Sequence, residues 1–225
     1  MQIPAIIYED DILLVCHKPA GLMVEPDRNN FLNLRQQVKQ YLKTKTGEKV
    51  PYAQHLHRLD RPVSGVVLFT KNKDYLRNLS EQFAQRQVSK YYQALTIQQS
   101  LELKGTLEHW HRKEKKKAAL VPEGTPFAEK AVLDYSVHTL GRFFKWDIQL
   151  HTGKFHQIRA QLASIDCPII GDSLYGSAES YLPDAIALHA VRLDISHPLD
   201  GRAMVFEAPK PEWADEDHVL NLLRS

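Results

Sequence analysis

The sequence predicts an α+β protein with a mixed, mostly antiparallel sheet and flanking helices. Helical periodicity is confined to a few segments, and strand-like segments accumulate from residue 88 onward. The two kinds of segment do not alternate regularly, which argues against a doubly wound parallel sheet. The chain has 225 residues, with no internal repeat and no strong linker, so a single domain over residues 1–225 is expected.

Four segments repeat their apolar residues at the spacing of one helical face. These predicted helices span residues 31–43, 74–87, 156–165 and 215–224. Either Asn72 or Asp74 can cap the second of them, because both side chains accept hydrogen bonds from the first backbone amides of a helix.

The remaining regular segments are rich in β-forming residues and are either continuous apolar runs or alternate with period two. They are residues 6–16 (two short strands around an acidic turn), 66–70, 88–97, 131–140, 142–150 and 186–207 (one or two strands). Glycine and proline predict loops at 17–26 and 168–176. Residues 98–130 are expected to be the least ordered part of the chain.

Composition excludes several classes of protein. Hydrophobic residues make up 43% and charged residues 25%, as in ordinary soluble globular proteins. No apolar run approaches the length of a membrane span, and the N-terminus lacks the basic start of a signal peptide. Cys16 and Cys167 are far apart in apolar settings, so neither a disulfide framework nor a zinc site is expected, and a reducing cytosol fits best.

The net charge of +2 is too small to identify a nucleic-acid partner, but the basic residues cluster. Residues 111–117 read HRKEKKK. This run is either a solvated loop or strand edge, or a patch that contacts phosphates, and both interpretations stay open.

Several familiar sites are absent. The sequence contains neither a G-x-x-x-x-G-K-[ST] loop nor a G-x-G-x-x-G turn, and Ser64 does not lie in a G-x-S-x-G elbow. The pair His55 and His57 could ligate a metal from one face of a strand. No matching cluster of further ligands is obvious, so no metal site is expected.

The stretch HLHRLDRPVSG at 55–65 places Asp60 between Arg58 and Arg61. Taken alone, Asp60 is an aspartate in a surface ion pair or a turn. A second cluster, LHTGKFHQIR at 150–159, supplies Arg159, which could bind a carboxylate through two hydrogen bonds and keep it ionised in a cleft. A single carboxylate argues against ordinary glycoside hydrolysis, which uses two.

Motifs along nearly the whole chain resemble, in the same order, those of the RluA family of RNA pseudouridine synthases. They are CHKPAGLMVEP (16–26), HRLDRPVSGVVLFTK (57–71), KYYQAL (90–95), LHTGKFHQIRAQLASIDCPIIGDSLYG (150–176), ALHAVRLDISHPLDG (187–201) and FEAPKP (206–211). Many relatives carry an additional N-terminal S4 domain. This chain resembles the short members without one and is expected to be a single catalytic domain.

The resemblance implies a role for three catalytic residues. Asp60 falls on the catalytic aspartate, Tyr92 on the tyrosine that packs against the target uracil, and Arg159 on the arginine that pairs with the aspartate. Without the resemblance, Tyr92 would be interpreted as a core tyrosine of a strand. Arg58 falls on an arginine that enters the RNA and helps displace the target base.

The resemblance also implies which residues bind RNA: Arg58, His57, Lys90, Lys154, His156 and Gln157. The chain departs from the family pattern at three positions. Lys154 stands where an arginine is usual, Phe155 where a small polar residue is usual, and Val63 where threonine or serine is usual. Lysine keeps the positive charge of arginine but loses its two-pronged phosphate geometry.

The implied reaction converts a uridine of structured ribosomal or transfer RNA into pseudouridine after the base has flipped out. Asp60 either attacks C1′ or removes the 2′ proton, and no cofactor or metal is needed. The expected protein is a bacterial, cytoplasmic monomer with RNA as its partner. Two other classes stay open: an RNA-binding protein without catalysis, and a hydrolase of small glycosides or nucleosides.

Overall fold

The computed structural model describes residues 3–26, 31–211, 213 and 214, and its chain forms two compact units. The first unit is Met1–Ser89 with Ala190–Pro209, and the second is Lys90–His189 with Lys210–Ser225. The expected α+β class is confirmed, whereas a single domain stays a prediction.

The strands are β1 (Ala5–Glu9), β2 (Leu13–Lys18), β3 (Gln54–His55), β4 (Ser64–Thr70), β5 (Ser89–Thr96), β6 (Lys104–Glu114), β7 (Lys117–Val121), β8 (Glu129–Leu140), β9 (Phe143–Leu150), β10 (Leu188–Ser196) and β11 (Ala203–Glu207). The α-helices are α1 (Leu34–Thr46), α2 (Leu76–Ala84) and α3 (Gln157–Ala163).

Antiparallel pairing builds the first unit. Strand β2 pairs with β1 and β4, β3 pairs with β4, and β11 pairs with β10. Apolar side chains of β2, β4, β10 and β11 form one core with α2, whose Leu79 is fully buried within it. The continuous apolar runs of β2 and β4 therefore reflect strands buried along nearly their whole length.

The start of β4 requires glycine. Gly65 has φ +127°, and a Cβ added there would lie 2.3 Å from the backbone oxygen of Ala190. Real Cβ atoms do not approach another atom so closely, so only glycine allows this contact between backbones. The contact fixes β4 at the point where the loop that contains Asp60 ends.

Helix α1 begins three residues later than predicted because Asn33 caps it. Asn33 has extended backbone, and its side chain accepts a hydrogen bond of 3.1 Å from the amide of Gln36. Leu34, Val38 and Leu42 face inward as predicted, and the helix ends at Gly47 in a left-handed conformation.

The other two helices are shorter than predicted. Before α2, Lys73–Tyr75 form a 3₁₀ turn whose cap is Asn72, one of the two predicted capping residues. Helix α3 starts after His156, which has a left-handed φ of 54°, and its residues from Gln157 to Leu162 are all buried. The predicted helix at 215–224 lies outside the described residues.

The second unit is an antiparallel sheet in the order β5-β9-β8-β6-β7. Trp146 of β9 is fully buried, donates to the hydroxyl of Thr96 at 2.9 Å and packs against Tyr135. The predicted strands at 88–97, 131–140 and 142–150 are confirmed.

The expectation of little order at 98–130 was wrong. Residues Lys104–Glu114 and Lys117–Val121 form β6 and β7, and β6 pairs with β8 over eight residue pairs. Many side chains of this hairpin are polar and exposed. Backbone pairing with β8 supplies the order that this polar sequence did not indicate.

Both cysteines are free and buried, as predicted. Burial raises the pKa of the Cys16 thiol, and burial followed by the charge of Asp166 raises that of Cys167 to about 11. Among the residues that the structure describes, no helix combines the length and apolar character needed to cross a membrane.

Candidate active site

Asp60 lies in an anchored loop between β3 and β4. Leu59 and Val63 on either side are only 6% and 2% exposed. The amide of Val63 donates to the backbone oxygen of Asp60 at 3.1 Å, which closes a turn. Asp60 is half-buried, while Arg58 and Arg61 are exposed. The turn thus fixes the backbone of Asp60 without enclosing its side chain completely.

A buried lysine, Lys18 at the end of β2, lies beneath this loop. Its ammonium group donates to the backbone oxygens of Pro19 (3.0 Å), Leu22 (2.6 Å) and Arg61 (3.1 Å). Burial lowers the pKa of Lys18 to about 7, and the negative charge of Asp60 acts in the opposite direction. In its protonated form the amino group has three N–H groups, and the three oxygens give each of them an acceptor.

Arg61 connects the same two loops a second time. Its backbone oxygen accepts from the amide of Gly21 at 2.9 Å, and its Nε donates to the oxygen of Gly21 at 3.0 Å. The 17–26 loop and the Asp60 loop are therefore joined through both backbone and side-chain hydrogen bonds.

Arg58 contacts a carboxylate that the sequence analysis did not single out. Its Nη1 donates to Oε1 of Glu25, and Oε2 of Glu25 lies 3.4 Å from Nε2 of His55. The side chain of Arg58 is 58% exposed and that of Glu25 37%. Burial lowers the pKa of His55, while the charge of Glu25 acts to raise it.

The side chain of His57 contacts other residues of the protein. The amide of Leu68 donates to its Nε2 at 3.2 Å, and its ring stacks on Phe83 at 5.3 Å between centroids. The contact engages one ring nitrogen of His57 within the protein.

In the second unit, Tyr92 lies on β5 opposite Ile148 of β9 and is 9% exposed. This position is compatible with a core tyrosine and with a ring that meets a uracil at the edge of the core. Its role toward uracil stays a prediction.

Arg159 forms a two-pronged ion pair with Asp172. Its Nε and Nη2 donate to the two carboxylate oxygens at 2.7 and 2.8 Å, and the two side chains are 6% and 1% exposed. The ring of Tyr175 lies 5.1 Å from the guanidinium carbon. Asp60 belongs to the first unit and Arg159 to the second, and the expected pairing of these two residues stays a prediction.

Gln157 organises the TGKFHQ loop from within. Its Oε1 accepts from the hydroxyl of Thr152 at 2.8 Å and from the amide of Lys154 at 3.0 Å. Its Nε2 donates to the oxygen of Val132 at 3.2 Å and to Gln161 at 2.9 Å. With 3% exposure and these four hydrogen bonds, Gln157 positions the loop.

The other predicted RNA-binding residues of this unit lie in the same loop or beside it. Lys154 pairs with Glu129, and Nζ of Lys90 would lie 3.3 Å from a Cβ added at Gly153. His156 stacks on Phe155 with ring centroids 3.8 Å apart, and its Nδ1 lies 3.1 Å from the hydroxyl of Tyr175.

The basic run at 111–117 comprises the end of β6, a turn and the first residue of β7. His111 donates to the backbone oxygen of Phe155 at 2.7 Å, and Nζ of Lys113 lies 4.6 Å from the centre of the Phe155 ring. The hydroxyl of Tyr175 accepts from the amide of Ala118 at 2.7 Å. The hairpin is thus held against the TGKFHQ loop, and its basic side chains from 113 to 117 are exposed.

Sequence reasoning missed Lys18, Glu25, Asp172 and Tyr175. A lysine within the apolar run of β2 was a signal for Lys18, because a buried lysine needs partners. Asp172 and Tyr175 lie in a glycine-punctuated loop without periodicity, which gave no signal. In the described part of the chain, no group of three or more His, Cys, Asp and Glu side chains could hold a metal ion.

Comparison with known proteins agrees with the resemblance. The family model described as RNA pseudouridylate synthase matches residues 12–164. The dual-specificity RNA pseudouridine synthase RluA of Escherichia coli is 30% identical, with 91% of this chain and 92% of that protein covered. The ribosomal large subunit pseudouridine synthase D of Nitrosomonas europaea is 32% identical over 98% of this chain, which spans 65% of the length of that protein.

A solved structure extends the similarity to the fold. Human RNA pseudouridylate synthase domain containing 4 is 26% identical with a TM-score of 0.77, and the match covers 98% of this chain and 93% of the human one. Sequence motifs, sheet architecture and relatives agree, and the chain belongs to the RNA pseudouridylate synthase family, whose members are isomerases that act on RNA.

Proposed function

We propose that this enzyme isomerises a specific uridine of structured ribosomal or transfer RNA, with Asp60 as the reacting carboxylate. One relative is named for the large ribosomal subunit and another for dual specificity, which supports these two RNA classes as substrates. The observation that carries the role of Asp60 is its place in the HRLD motif, on a loop anchored above the buried Lys18.

The reaction is an isomerisation in which every atom of the uridine is kept. The bond from N1 to C1′ breaks, the uracil turns, and C5 forms a bond to C1′ while a proton moves from C5 to N1. The target base is proposed to flip out of its stack, because its reacting atoms are inaccessible within a helix. No oxidant or group donor enters this balance, so no cofactor is required.

Two roles for Asp60 fit this balance. The carboxylate either attacks C1′ and later leaves, or removes the 2′ proton and returns it. Deuterium at the 2′ carbon of the target uridine distinguishes them. Removal of that hydrogen predicts a several-fold slower single-turnover rate, whereas direct attack at C1′ predicts an almost unchanged rate.

Tyr92 and Arg159 are proposed to serve the same reaction. Stacking of an aromatic ring on a base contributes roughly 1–3 kcal/mol and does not depend on base sequence, which suits Tyr92 as a surface for the flipped uracil. Arg159 is proposed to supply the positive charge that keeps a reacting carboxylate ionised. Its two hydrogen bonds to Asp172 fix the orientation of its guanidinium group.

RNA contacts are proposed for the exposed or half-buried side chains of the predicted set: Arg58, Lys90, Lys154 and His156. The exposed lysines of the 111–117 run are proposed to contact phosphates, since such contacts account for much of the affinity of proteins for nucleic acids. For His57 and Gln157 we propose positioning roles, because hydrogen bonds within the protein engage both side chains.

Mapping of pseudouridines in ribosomal and transfer RNA tests the function. Cells without the gene are complemented with the wild type, with Asp60→Ala or with Asp11→Ala, which removes an exposed turn carboxylate of the same unit. We expect a pseudouridine site that disappears on deletion and returns with the wild type and Asp11→Ala only. Restoration by Asp60→Ala would refute the role of Asp60, and persistence of every site would refute these RNAs as substrates.

A monomer in the cytoplasm is proposed as the working form. Light scattering of the purified protein tests the oligomeric state, and fractionation of cells tests the compartment.

A further inference from the structure

The loop before α1 fixes the position of Glu25. Val24, its neighbour, is 3% exposed, and the backbone oxygen of Val24 accepts from the amide of Arg35 at 3.0 Å. The next residue back, Met23, forms a β-bridge with Asn33. The backbone at Glu25 is therefore attached to the start of α1, while Arg58 reaches it through a long and largely exposed side chain.

The contact with Glu25 engages one terminal nitrogen of Arg58, Nη1, and places a negative charge against the guanidinium group that a phosphate would bind. A guanidinium group binds carboxylates and phosphates through the same edges, so the two anions compete for it. His55 lies against the other oxygen of Glu25, and its lowered pKa favours a neutral ring at pH 7. Of the two side chains that contact Glu25, Arg58 is therefore the one that carries a positive charge.

We propose that Glu25 holds Arg58 in the RNA-free enzyme and that an RNA phosphate displaces it on binding. The inference rests on the proposed function, in which Arg58 meets RNA. The side chain of Arg58 is longer and more exposed than that of Glu25, at 58% against 37%, so Arg58 is the group that moves. Each RNA that uses Arg58 must then open an ion pair before it gains one, which lowers the affinity for all such RNAs by the same factor.

The test compares Glu25→Gln with Glu48→Gln, which removes the same charge from an exposed position of the same unit. Affinity for a fluorescein-labelled RNA stem-loop is measured at several salt concentrations. Since exposed ion pairs are weak, Glu25→Gln is expected to bind about two- to fivefold more tightly than the wild type, and Glu48→Gln much less so.

Arg58→Gln provides the second half of a double-mutant cycle. If Glu25 acts through Arg58, then Glu25→Gln has no effect in the Arg58→Gln background. Equal gains for Glu25→Gln and Glu48→Gln, a gain that persists without Arg58, or weaker binding by Glu25→Gln would each overturn the proposal. Thermal denaturation of every variant establishes that the compared proteins are folded.

The proposed function is tested separately, by pseudouridine formation with the wild type. Lack of product together with the expected binding changes would refute the activity and keep the role of Glu25. Lack of RNA binding by the wild type would refute both. Product formation with unchanged affinity of Glu25→Gln would refute the role of Glu25 alone.

Discussion

Two enclosed cations show how single residues shape the candidate site. Lys18 donates to three backbone oxygens, whereas Arg159 pairs with the carboxylate of Asp172. The sequence predicted a carboxylate partner for Arg159, which the resemblance identified as Asp60. It did not predict Asp172, since a loop residue carries no periodic signal that would place it beside a helix.

Loss of Asp172 should destabilise the protein strongly. Asp172→Ala leaves the buried guanidinium of Arg159 without this partner, and we expect a loss of about 3–5 kcal/mol in the free energy of unfolding. Asp194→Ala is the control, because Asp194 binds Arg192 with the same two-pronged geometry but the two side chains are more exposed, at 24% and 40%. Urea denaturation should show a loss of about 1 kcal/mol or less for the control. Equal losses for Asp172→Ala and Asp194→Ala would contradict a higher cost for breaking the buried ion pair.

At the scale of elements, periodicity predicted most strands and helices but not their limits. Asn33 moved the start of α1, and the left-handed His156 delayed α3, because caps depend on local hydrogen bonds that a periodic pattern does not contain. The β6–β7 hairpin was missed because its order comes from pairing with β8. Long-range pairing of this kind has no signature in the paired segment itself.

One carboxylate joins three elements of the first unit. Glu9 of β1 accepts from Lys45 and Tyr41 of α1 and from Lys71 after β4, each at 2.8 Å. Burial acts to raise the pKa of Glu9, but these hydrogen bonds outweigh it and lower the pKa to about 2. A lowered folded pKa stabilises the protein above the unfolded pKa, and the stabilisation is lost as the pH falls toward 2.

Glu9→Gln should therefore remove a contribution to the free energy of unfolding that the wild type itself loses in acid. At pH 7 we expect a loss of about 1–3 kcal/mol in the free energy of unfolding, which shrinks as the pH falls from 4.5 toward 2. Denaturation with urea across this pH range measures the difference between the two proteins. A difference that stays constant with pH would contradict the role of the ionised carboxylate.

The close approach of β4 and β10 predicts an unusually sensitive glycine. Gly65→Ala places a Cβ against the backbone of Ala190, and neither strand can move without breaking its pairs, so we expect a loss of about 3 kcal/mol or more. Gly47→Ala is the control, because Gly47 also has positive φ but its Cβ would meet no atom within 4 Å. Thermal denaturation should show a loss of only about 1–2 kcal/mol for the control.

At the scale of the whole molecule, the net charge of +2 is too small for strong general attraction to RNA. Affinity must then depend on where the cations lie, and four exposed lysines of the hairpin fall within five residues, 113–117. Composition and motif order were sufficient to predict the fold class and the family. They could not predict strand register or the division into two units, since both depend on contacts between distant segments.

The salt dependence of RNA affinity should show whether the lysines of the β6–β7 hairpin contact phosphates. Lys116→Gln removes a cation from the hairpin turn, and Lys43→Gln removes one from the exposed last turn of α1. If the hairpin contacts phosphates, Lys116→Gln makes the negative slope of log affinity against log salt about 0.7–0.9 less steep, while Lys43→Gln leaves the slope almost unchanged. Identical slopes for the two variants would indicate that the hairpin does not bind RNA.

The two enclosed cysteines have a consequence for labelling chemistry. A maleimide reacts with an accessible thiolate, and both thiols of this chain are 0% and 1% exposed with raised pKa values. The wild-type chain therefore already serves as an unreactive background. A single cysteine introduced at Lys116 would be the reactive thiol, and a photocrosslinker attached there would record which nucleotides approach the hairpin.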